Sequence, residues 1–254
     1  MRALLRKTVL STLGATKTIG NGIHILNSHY IGREDISTTV FEGLLNKIKN
    51  QADFINIEDA VELIAKKENI NQKLVAFTFD DGFEECYIKI APALNKFNTN
   101  AAFFINPGFI DGDEKYIENF NKNVVHVNKK PMSWDMVKEL KNNGFIIGNH
   151  SMDHARLVGL TEEELIHQVK NSKNIIEKHI NTQCDYFAWT YGKLSDIDSN
   201  AIKAVLEDHK FIFSGDNYTK YHSLNNSRII NRRHIEGDWP FSHVKYFLSH
   251  NMKY

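Results

Sequence analysis

The sequence predicts an α/β protein built around a mostly parallel sheet that is wrapped by helices. Short apolar runs of strand length alternate with longer segments in which apolar residues recur at helical spacing. This alternation is typical of strands that are joined by helical crossovers within one sheet. A second observation is that several apolar runs are followed directly by Asp, His or Tyr. Ligands of parallel sheets bind at the carboxyl ends of the strands, so these residues are expected to meet at one edge.

Length and composition limit the classes of protein to which the chain can belong. At 254 residues it can bury a substantial core, and no repeat or linker divides it, so one domain over residues 1–254 is predicted. Lys+Arg and Asp+Glu both number 31, and this balance gives no basic surface for nucleic acid. Cys86 and Cys184 are too few for a disulfide framework and are predicted to be buried thiols. The oligomeric state cannot be read from the sequence.

The first twenty residues form a mildly amphipathic segment with basic residues near its start. It lacks the uninterrupted apolar stretch of a signal peptide. No run approaches the ~18 apolar residues that span a bilayer. A cytoplasmic protein is therefore expected, and residues 1–13 are the segment through which it would touch a membrane surface.

The first half of the chain contains three predicted strands and three predicted helices. Strands are predicted at 23–26, 74–79 and 101–105, each an apolar run short enough for a buried strand. Helices are predicted at 38–50, 56–67 and 84–97 from apolar spacing, and Pro92 should kink or divide the third. Residues 108–131 are polar, and an irregular segment that could border a cleft is expected there.

The second half continues the alternation. Ser133 and Thr161 are predicted N-caps, the latter opening a capping box before a long helix. The predicted helices are 133–143, 161–180, 198–208 and 241–248, and the predicted strands are 145–148, 186–189, 211–213 and 229–235. Trp189 is expected in the core, although Trp189 and Trp239 could each stack on a sugar.

Two pairs of residues carry the predicted chemistry. Asp80 and Asp81 follow the apolar run 74–79, and His150 and His154 follow the run 145–148. An Asp-Gly turn alone would explain the first pair. Burying ionised carboxylates costs several kcal/mol unless a cation or hydrogen-bond donors compensate them, however. One carboxylate and two imidazoles suit Zn²⁺, and Co²⁺, Ni²⁺ or Fe²⁺ would also be tolerated.

The segments Thr78-Phe79-Asp80-Asp81-Gly82 and His150-Ser151-Met152-Asp153-His154 resemble the first two motifs of the polysaccharide deacetylases. This is the NodB homology superfamily, also called carbohydrate esterase family 4, and the resemblance covers roughly residues 22–236. It implies a distorted, incomplete (β/α) barrel. It also implies that Asp81, His150 and His154 bind the metal, that Asp80 is the general base, and that the backbone N–H of Tyr191 stabilises the oxyanion.

The general acid and the arginine beside the base are less clearly marked. Relatives with an early Tyr-His place the acid there, which favours His29, although Ser28 replaces the tyrosine; His243 and His250 are rivals. The third motif of the family contains an arginine and a proline that are missing here from the segment 188–192. Arg233 matches a late Arg-Ile segment of this branch and could supply the charge, and an arginine paired with a surface carboxylate is the alternative.

The resemblance therefore implies a metal-dependent hydrolase that removes an N-acetyl group from an amino sugar. A cytoplasmic chain would meet a biosynthetic intermediate, such as a lipid-linked or nucleotide-linked sugar. One alternative is a deformylase with the same site. The other is a catalytically silent relative that only binds carbohydrate.

Overall fold

Parallel strands form a single sheet that curves into a barrel in the computed structural model. The structure describes residues 2–222, 224, 226 and 228–254, with side chains from residue 7 onward. The strands are β1 (Gly22–Ser28), β2 (Asp53–Phe54), β3 (Lys73–Phe79), β4 (Ala101–Ile105), β5 (Ile146–Asn149), β6 (Tyr186–Ala188), β7 (Phe211–Ser214), β8 (Ile229–Asn231) and β9 (Arg233–His234). Neighbours follow the order β8-β7-β6-β5-β4-β3-β1-β9, and β2 pairs with the start of β3.

The two ends of this sheet meet in one short stretch of chain. β8 pairs with β7, and β9, after a single intervening residue, pairs with β1. That residue is Arg232, whose N–H donates to the Ser214 carbonyl at 2.7 Å, while the N–H of Ile235 donates to the Asn27 carbonyl at 2.8 Å. The sheet is therefore a nearly closed barrel with a seam at Arg232, and the predicted barrel fold is confirmed.

Helices surround the barrel. They are α1 (Arg2–Ala15), α2 (Thr38–Lys49), α3 (Ile57–Ala65), α4 (Ala91–Lys96), α5 (Pro107–Ile110), α6 (Glu114–Phe120), α7 (Trp134–Asn142), α8 (Glu162–Leu165), α9 (Ser172–Ile180), α10 (Ser199–Asp208) and α11 (Phe241–Leu248). Three π-helical turns join them at Cys86–Ile90, Asn121–Val125 and Ile166–Asn171. Within the described residues, none of these helices has the length and apolar character needed to cross a membrane.

Alternation along the strands separates the inside of the barrel from the outside. Every second residue joins the inner cluster, which includes Ile23 and Ile25 of β1, Phe104 of β4 and Phe213 of β7. The residues between them, such as Phe79, pack against the surrounding helices. A Cβ at Gly148 would collide with the Phe104 ring, so glycine leaves the space that this ring fills.

The same alternation, continued to the ends of the strands, decides which polar residues face the barrel axis. Asp80 follows the inner residues Ala76 and Thr78 at intervals of two, and His29 follows Ile25 and Asn27 in the same way. Both therefore lie over the carboxyl end of the barrel, the edge at which the sequence places the site.

Most predicted elements are present, and the differences are local. The predicted strand 229–235 is divided into β8 and β9, and β2 was not predicted. Pro92 lies in the first turn of α4, which a π-helical turn precedes, so the predicted helix 84–97 is divided. The predicted long helix 161–180 has the capping box of Thr161 and contains a π-helical turn. The expectation of an irregular segment at 108–131 was wrong, because α5, α6 and a π-helical turn fill most of it. Cys86 and Cys184 are buried free thiols, as predicted, and Trp189 is fully buried.

The amphipathic segment at the start of the chain is helix α1, which packs against α11. Leu10 is buried in this contact, whereas Val9 and Leu13 are largely exposed. Gly14 allows the close approach, because a Cβ there would collide with the backbone of Ser242. Membrane contact through residues 1–13 stays a prediction.

Candidate active site

Asp80 lies at the end of β3 in a buried ion pair with Arg232. The Arg232 guanidinium donates from Nη1 to Oδ1 at 2.8 Å and from Nη2 to Oδ2 at 2.9 Å, a bidentate contact that fixes the carboxylate. Nη1 also donates to the Thr78 hydroxyl at 3.1 Å. Burial would raise the pKa of Asp80, but Arg232 and the nearby His150 hold that pKa well below its usual range. The carboxylate is therefore ionised and oriented.

Asp81, His150 and His154 converge beside this pair. Oδ1 of Asp81 lies 3.5 Å from Nε2 of His150 and 3.4 Å from Nε2 of His154, and all three side chains are buried. Asp81 leaves the strand alternation because its φ of +72° is left-handed, a conformation that aspartate tolerates better than most residues. Neighbouring aspartates thus point to different partners.

The three side chains fit a metal ion. Two atoms that are each about 2.1 Å from a tetrahedral zinc lie roughly 3.4 Å apart, which agrees with the two nitrogen–oxygen distances. Oδ1 of Asp81 is buried without a hydrogen-bond partner among the described residues, and a buried acceptor of this kind is costly unless a cation meets it. Burial lowers the pKa of His154 to about 4, so its ring is neutral and offers a lone pair.

The histidines are held by the loop after β5. Nδ1 of His150 lies 2.7 Å from the Ala188 carbonyl, and donating to it leaves Nε2 free to bind a metal. Ser151 and His154 both have left-handed backbone conformations, with φ of +65° and +57°. The amide of Asn106, at the end of β4, donates to the carbonyls of His150 and Ser151 and so fixes this loop.

Tyr191 lies at the tip of a tight turn after β6. Its φ is +61°, and the N–H of Gly192 donates to the Thr190 carbonyl at 2.7 Å, which makes a strained γ-turn. The Tyr191 ring and the His154 ring meet edge to face at 4.9 Å between centroids, and the Arg156 guanidinium lies 4.2 Å from the Tyr191 ring centroid. The turn is therefore directly beside the possible metal ligands.

His29 follows β1 and approaches Glu236. Nδ1 of His29 lies 3.5 Å from Oε1 of Glu236, and Nε2 of His234 lies 3.2 Å from the same oxygen. Burial would lower the pKa of His29, but Glu236, with Asp81 and Asp80 further off, raises it to about 9. At neutral pH this ring therefore carries a proton.

The comparison with known families covers the part of the chain that contains these residues. The sequence profile described as polysaccharide deacetylase matches residues 67–208, which include Asp80, Asp81 and both histidines of the loop. The chain belongs to the polysaccharide deacetylase family. The resemblance found in the two motifs is thereby confirmed.

Curated relatives in this family carry names that refer to peptidoglycan. A peptidoglycan-N-acetylmuramic acid deacetylase of Bacillus subtilis, PdaC, is 29% identical over 154 residues, which are 59% of this chain and 28% of that protein. A peptidoglycan-N-acetylglucosamine deacetylase of Bacillus cereus is 27% identical over 143 residues, 56% of this chain and 44% of that protein. The chain thus spans less than half the length of these relatives.

Solved structures of deacetylases share the fold. IcaB of Ammonifex degensii superposes with a TM-score of 0.71 at 19% identity, over 92% of this chain and all of that one. The Streptococcus pyogenes deacetylase PplD gives a TM-score of 0.67 at 18% identity, over 91% and 99% of the two chains. At these identities the likeness concerns the fold alone.

The arginine beside Asp80 differs from the one that the sequence indicated. Arg233 was one of two interpretations weighed for this charge, but its guanidinium lies 3.5 Å from the ring centroid of Phe247, and the adjacent Arg232 pairs with Asp80. Strand alternation gives the reason, since Arg232 is two residues beyond Ile230 of the inner cluster. In this member of the polysaccharide deacetylase family, whose third motif has no arginine, the residue between β8 and β9 thus forms the ion pair with Asp80.

Of the three histidines weighed as general acid, only His29 lies beside the aspartates. His243 lies under α1, where Nε2 is 2.9 Å from Oγ of Ser11. The His250 ring packs against His24 near the start of β1, at the other end of the barrel from His29. Glu236, the partner of His29, was not predicted from the sequence. The signal that could have indicated it was an acidic residue two positions after His234, a histidine in a predicted strand.

Proposed function

We propose that this protein is a metal-dependent hydrolase that removes an N-acetyl group from an amino sugar. The observation that carries the proposal is the buried Asp81, His150 and His154 set beside an ionised, arginine-bound Asp80. An isolated buried carboxylate and two imidazoles have little structural reason to converge, whereas a divalent cation would satisfy all three.

We propose that Asp81, His150 and His154 hold the ion and that zinc is the metal. When bound, such an ion supplies Lewis acidity toward an acyl oxygen and a water. Mixed nitrogen and oxygen ligands also accept cobalt, nickel or iron, so metal analysis must decide.

In the proposed reaction Asp80 accepts the proton of the attacking water. Arg232 keeps the carboxylate ionised and holds both of its oxygens, so the side chain presents one orientation to the reacting atoms. The Tyr191 N–H, at the tip of its strained turn, is proposed to stabilise the negative charge that develops on the acyl oxygen.

His29 is proposed to give a proton to the leaving amine. Its pKa, raised to about 9, leaves the ring protonated at neutral pH, as a general acid requires. Two contacts hold the backbone around His29 in place. The Cys86 thiol approaches the His29 carbonyl, and Oε1 of Glu85 accepts the N–H of Ile31.

A cleft beside His29 can receive the rest of the substrate. It has a volume of about 570 Å³, and its lining includes the aromatic rings of Tyr30 and Trp239, the cations Lys7 and Arg33, and the carboxyl groups of Glu236 and Asp238. Aromatic faces suit sugar rings, and the cations suit a phosphate. We propose a lipid-linked or nucleotide-linked amino sugar met in the cytoplasm; the names of the curated relatives favour peptidoglycan as the competing substrate.

The test combines metal content with product analysis. Purified protein is incubated with N-acetylated sugars of three kinds, namely nucleotide-linked, lipid-linked and peptidoglycan fragments, and released acid is identified by mass spectrometry. Acetate is expected from at least one class, and formate would indicate the deformylase. No acid from any class, with stoichiometric metal present, would favour the silent carbohydrate-binding alternative and overturn the proposal.

Two isosteric variants separate the aspartates. Asp81→Asn should lose metal affinity because a neutral amide is a poor ligand, and Asp80→Asn should keep the metal but lose most turnover. Metal retained fully by Asp81→Asn, or normal turnover by Asp80→Asn, would contradict the assignment.

The role of His29 is tested with two leaving groups. His29→Ala should cost ~10²–10⁴-fold on an N-acetyl sugar, and much less on an activated aryl acetate whose leaving group needs no proton. His243→Ala, whose ring contacts α1, is the matched control and should show no amide-selective loss. Equal losses on both substrates would make His29 a structural residue.

A further inference from the structure

A second set of possible metal ligands lies beside the first. His29, His234 and Glu236 each present one ligand atom, and these three atoms lie within 4.8 Å of one another. Apart from Asp81 and its two histidines, it is the only such set among the described residues. In the proposed reaction His29 donates a proton and Glu236 raises the pKa of His29, whereas His234 has no role.

The geometry of this set repeats that of the first. Nδ1 of His29 and Nε2 of His234 lie 3.5 Å and 3.2 Å from the same atom, Oε1 of Glu236. The corresponding distances around Oδ1 of Asp81 are 3.5 Å and 3.4 Å. Ligands of one tetrahedral zinc ion are separated by roughly 3.4 Å, whereas N–H···O hydrogen bonds are usually close to 2.9 Å.

Glu236 is prepared to act as the anionic ligand. Its other oxygen, Oε2, accepts the Ser28 hydroxyl at 2.9 Å, which fixes the carboxylate and leaves Oε1 directed at the two histidines. The His29 and His234 rings approach at 5.2 Å between centroids and are tilted by 52°. Two imidazoles and one carboxylate are a common ligand set for divalent metals.

We propose that His29, His234 and Glu236 form a second zinc-binding site, and that zinc bound there inhibits the enzyme by occupying His29. The inhibitory part rests on the proposed function, in which His29 must donate a proton; the binding part does not. Coordination through Nδ1 prevents His29 from becoming the doubly protonated imidazolium, and the Nε2–H that remains belongs to a neutral ring, which is a far weaker acid. Proton donation to the leaving amine is therefore suppressed while the site is filled.

The second site fills after the first because its ligands are more exposed. The side chains of His29 and His234 are 26% and 42% exposed, whereas His150, His154 and Asp81 are exposed by 8% or less. Solvent competes for accessible ligands, and His29 must also lose a proton before it can bind. Inhibition should therefore begin only when zinc exceeds one equivalent.

The test counts zinc ions per chain. Metal-free protein is titrated with Zn²⁺ by calorimetry, and the content after dialysis is measured by plasma mass spectrometry. Wild type should bind two ions, the second more weakly. His234→Ala and the isosteric Glu236→Gln should each weaken the second ion by at least about tenfold and keep the first. His150→Ala should lose the tight ion and keep the weak one.

His167→Ala is the matched control. Nε2 of His167 lies 3.2 Å from Oδ2 of Asp153, a similar histidine–carboxylate pair, but no further ligating side chain completes a set there in the described part of the chain. This variant should bind two ions. The site would be overturned if wild type bound only one ion, or if His234→Ala kept the second ion. It would also be overturned if His167→Ala lost the second ion to the same extent as His234→Ala.

Inhibition is measured as the ratio of activity at excess zinc to activity at one equivalent. The activity of wild type should fall by at least about tenfold at excess zinc, and the activity of His234→Ala should fall little. A wild-type ratio that stays near one while the second ion binds would overturn the inhibitory role. Absence of any hydrolysis would count against the proposed function alone, because the ion count does not depend on turnover.

Discussion

At the scale of single residues, the ion pair between Asp80 and Arg232 is the contact on which the proposed chemistry most depends. Both side chains are buried, so each charge relies on the other for the solvation that it has lost. The pair also lies inside the barrel among aromatic rings, with Arg232 5.1 Å from the ring centroid of Phe104. Removing one partner therefore affects stability and chemistry together.

Arg232→Met is predicted to destabilise the protein by about 3–5 kcal/mol, because it leaves Asp80 buried without a cation. The pKa of Asp80 should rise and its orientation should be lost, so activity should fall steeply. Denaturant unfolding and amide hydrolysis measure the two effects. Arg233→Met is the matched control, and a larger loss of activity in that variant would contradict the assignment.

The same two residues show what the sequence could not decide. Neighbouring strand residues point to opposite faces, so one of Arg232 and Arg233 had to face the barrel, but the pattern of 229–235 did not show which. The register of β9 on β1, where Asn27 lies opposite His234, settles it. This register also brings Glu236 to His29, a contact between residues more than 200 positions apart.

At the scale of elements, the site depends on loops that are fixed by side chains at the ends of strands. β4 carries a buried asparagine near each end. Asn100, before the strand, donates to the Gly144 carbonyl at 3.0 Å, and Asn106, after it, holds the histidine loop. Each of the two asparagines thus donates its side-chain amide to loop carbonyls, at opposite edges of the sheet.

Asn106→Leu is predicted to weaken metal binding as well as stability. It leaves the carbonyls of His150 and Ser151 without a buried donor, at a cost of about 1–3 kcal/mol each, and frees the loop that aims both ligands. Metal affinity should fall by about 10–100-fold. Asn100→Leu should destabilise the protein and leave metal affinity unchanged, so equal losses of affinity in both variants would refute the idea.

The elements themselves could mostly be predicted, and the exceptions have physical causes. Long apolar runs and strong caps, such as Thr161, marked strands and helices clearly. The helices within 108–131 were missed because they are short and because charged and amide residues outnumber the apolar ones, although Tyr116, Ile117, Phe120 and Val124 do show helical spacing. One cap, Asp113, which accepts the N–H of Tyr116, could have indicated α6. The π-helical turns leave no recognisable pattern in the sequence.

At the scale of the whole molecule, the parallel sheet, its barrel form and the edge that bears the candidate site followed from the alternation of elements and from the resemblance. What did not follow was the closure of the barrel at Arg232, because it depends on pairing between the two ends of the sheet. This closure brings residues 229–236 to the aspartates. It therefore supplies both the arginine that pairs with Asp80 and the carboxylate beside His29.

The last prediction concerns the stability of this closed structure in acid. His24 in β1 is buried, its Nε2 lies 3.1 Å from the Gly20 carbonyl, and its ring packs 5.4 Å from His250. Burial lowers the pKa of His24 to about 4, helped by the neighbouring His250. Between pH 6.5 and pH 4 the unfolded chain therefore binds a proton at this position that the folded chain does not.

Above pH 6.5, titration of His24 should accordingly leave the free energy of unfolding unchanged. From pH 6.5 down toward pH 4, it should lower the free energy of unfolding by on the order of 1 kcal/mol per pH unit. His24→Asn should flatten this slope, as measured by urea unfolding at several pH values. Ile25→Val, a buried neighbour in the same strand, should lower stability by about 1 kcal/mol at every pH and keep the wild-type slope. A His24→Asn slope equal to that of wild type would show that the imidazole is already protonated in the folded protein.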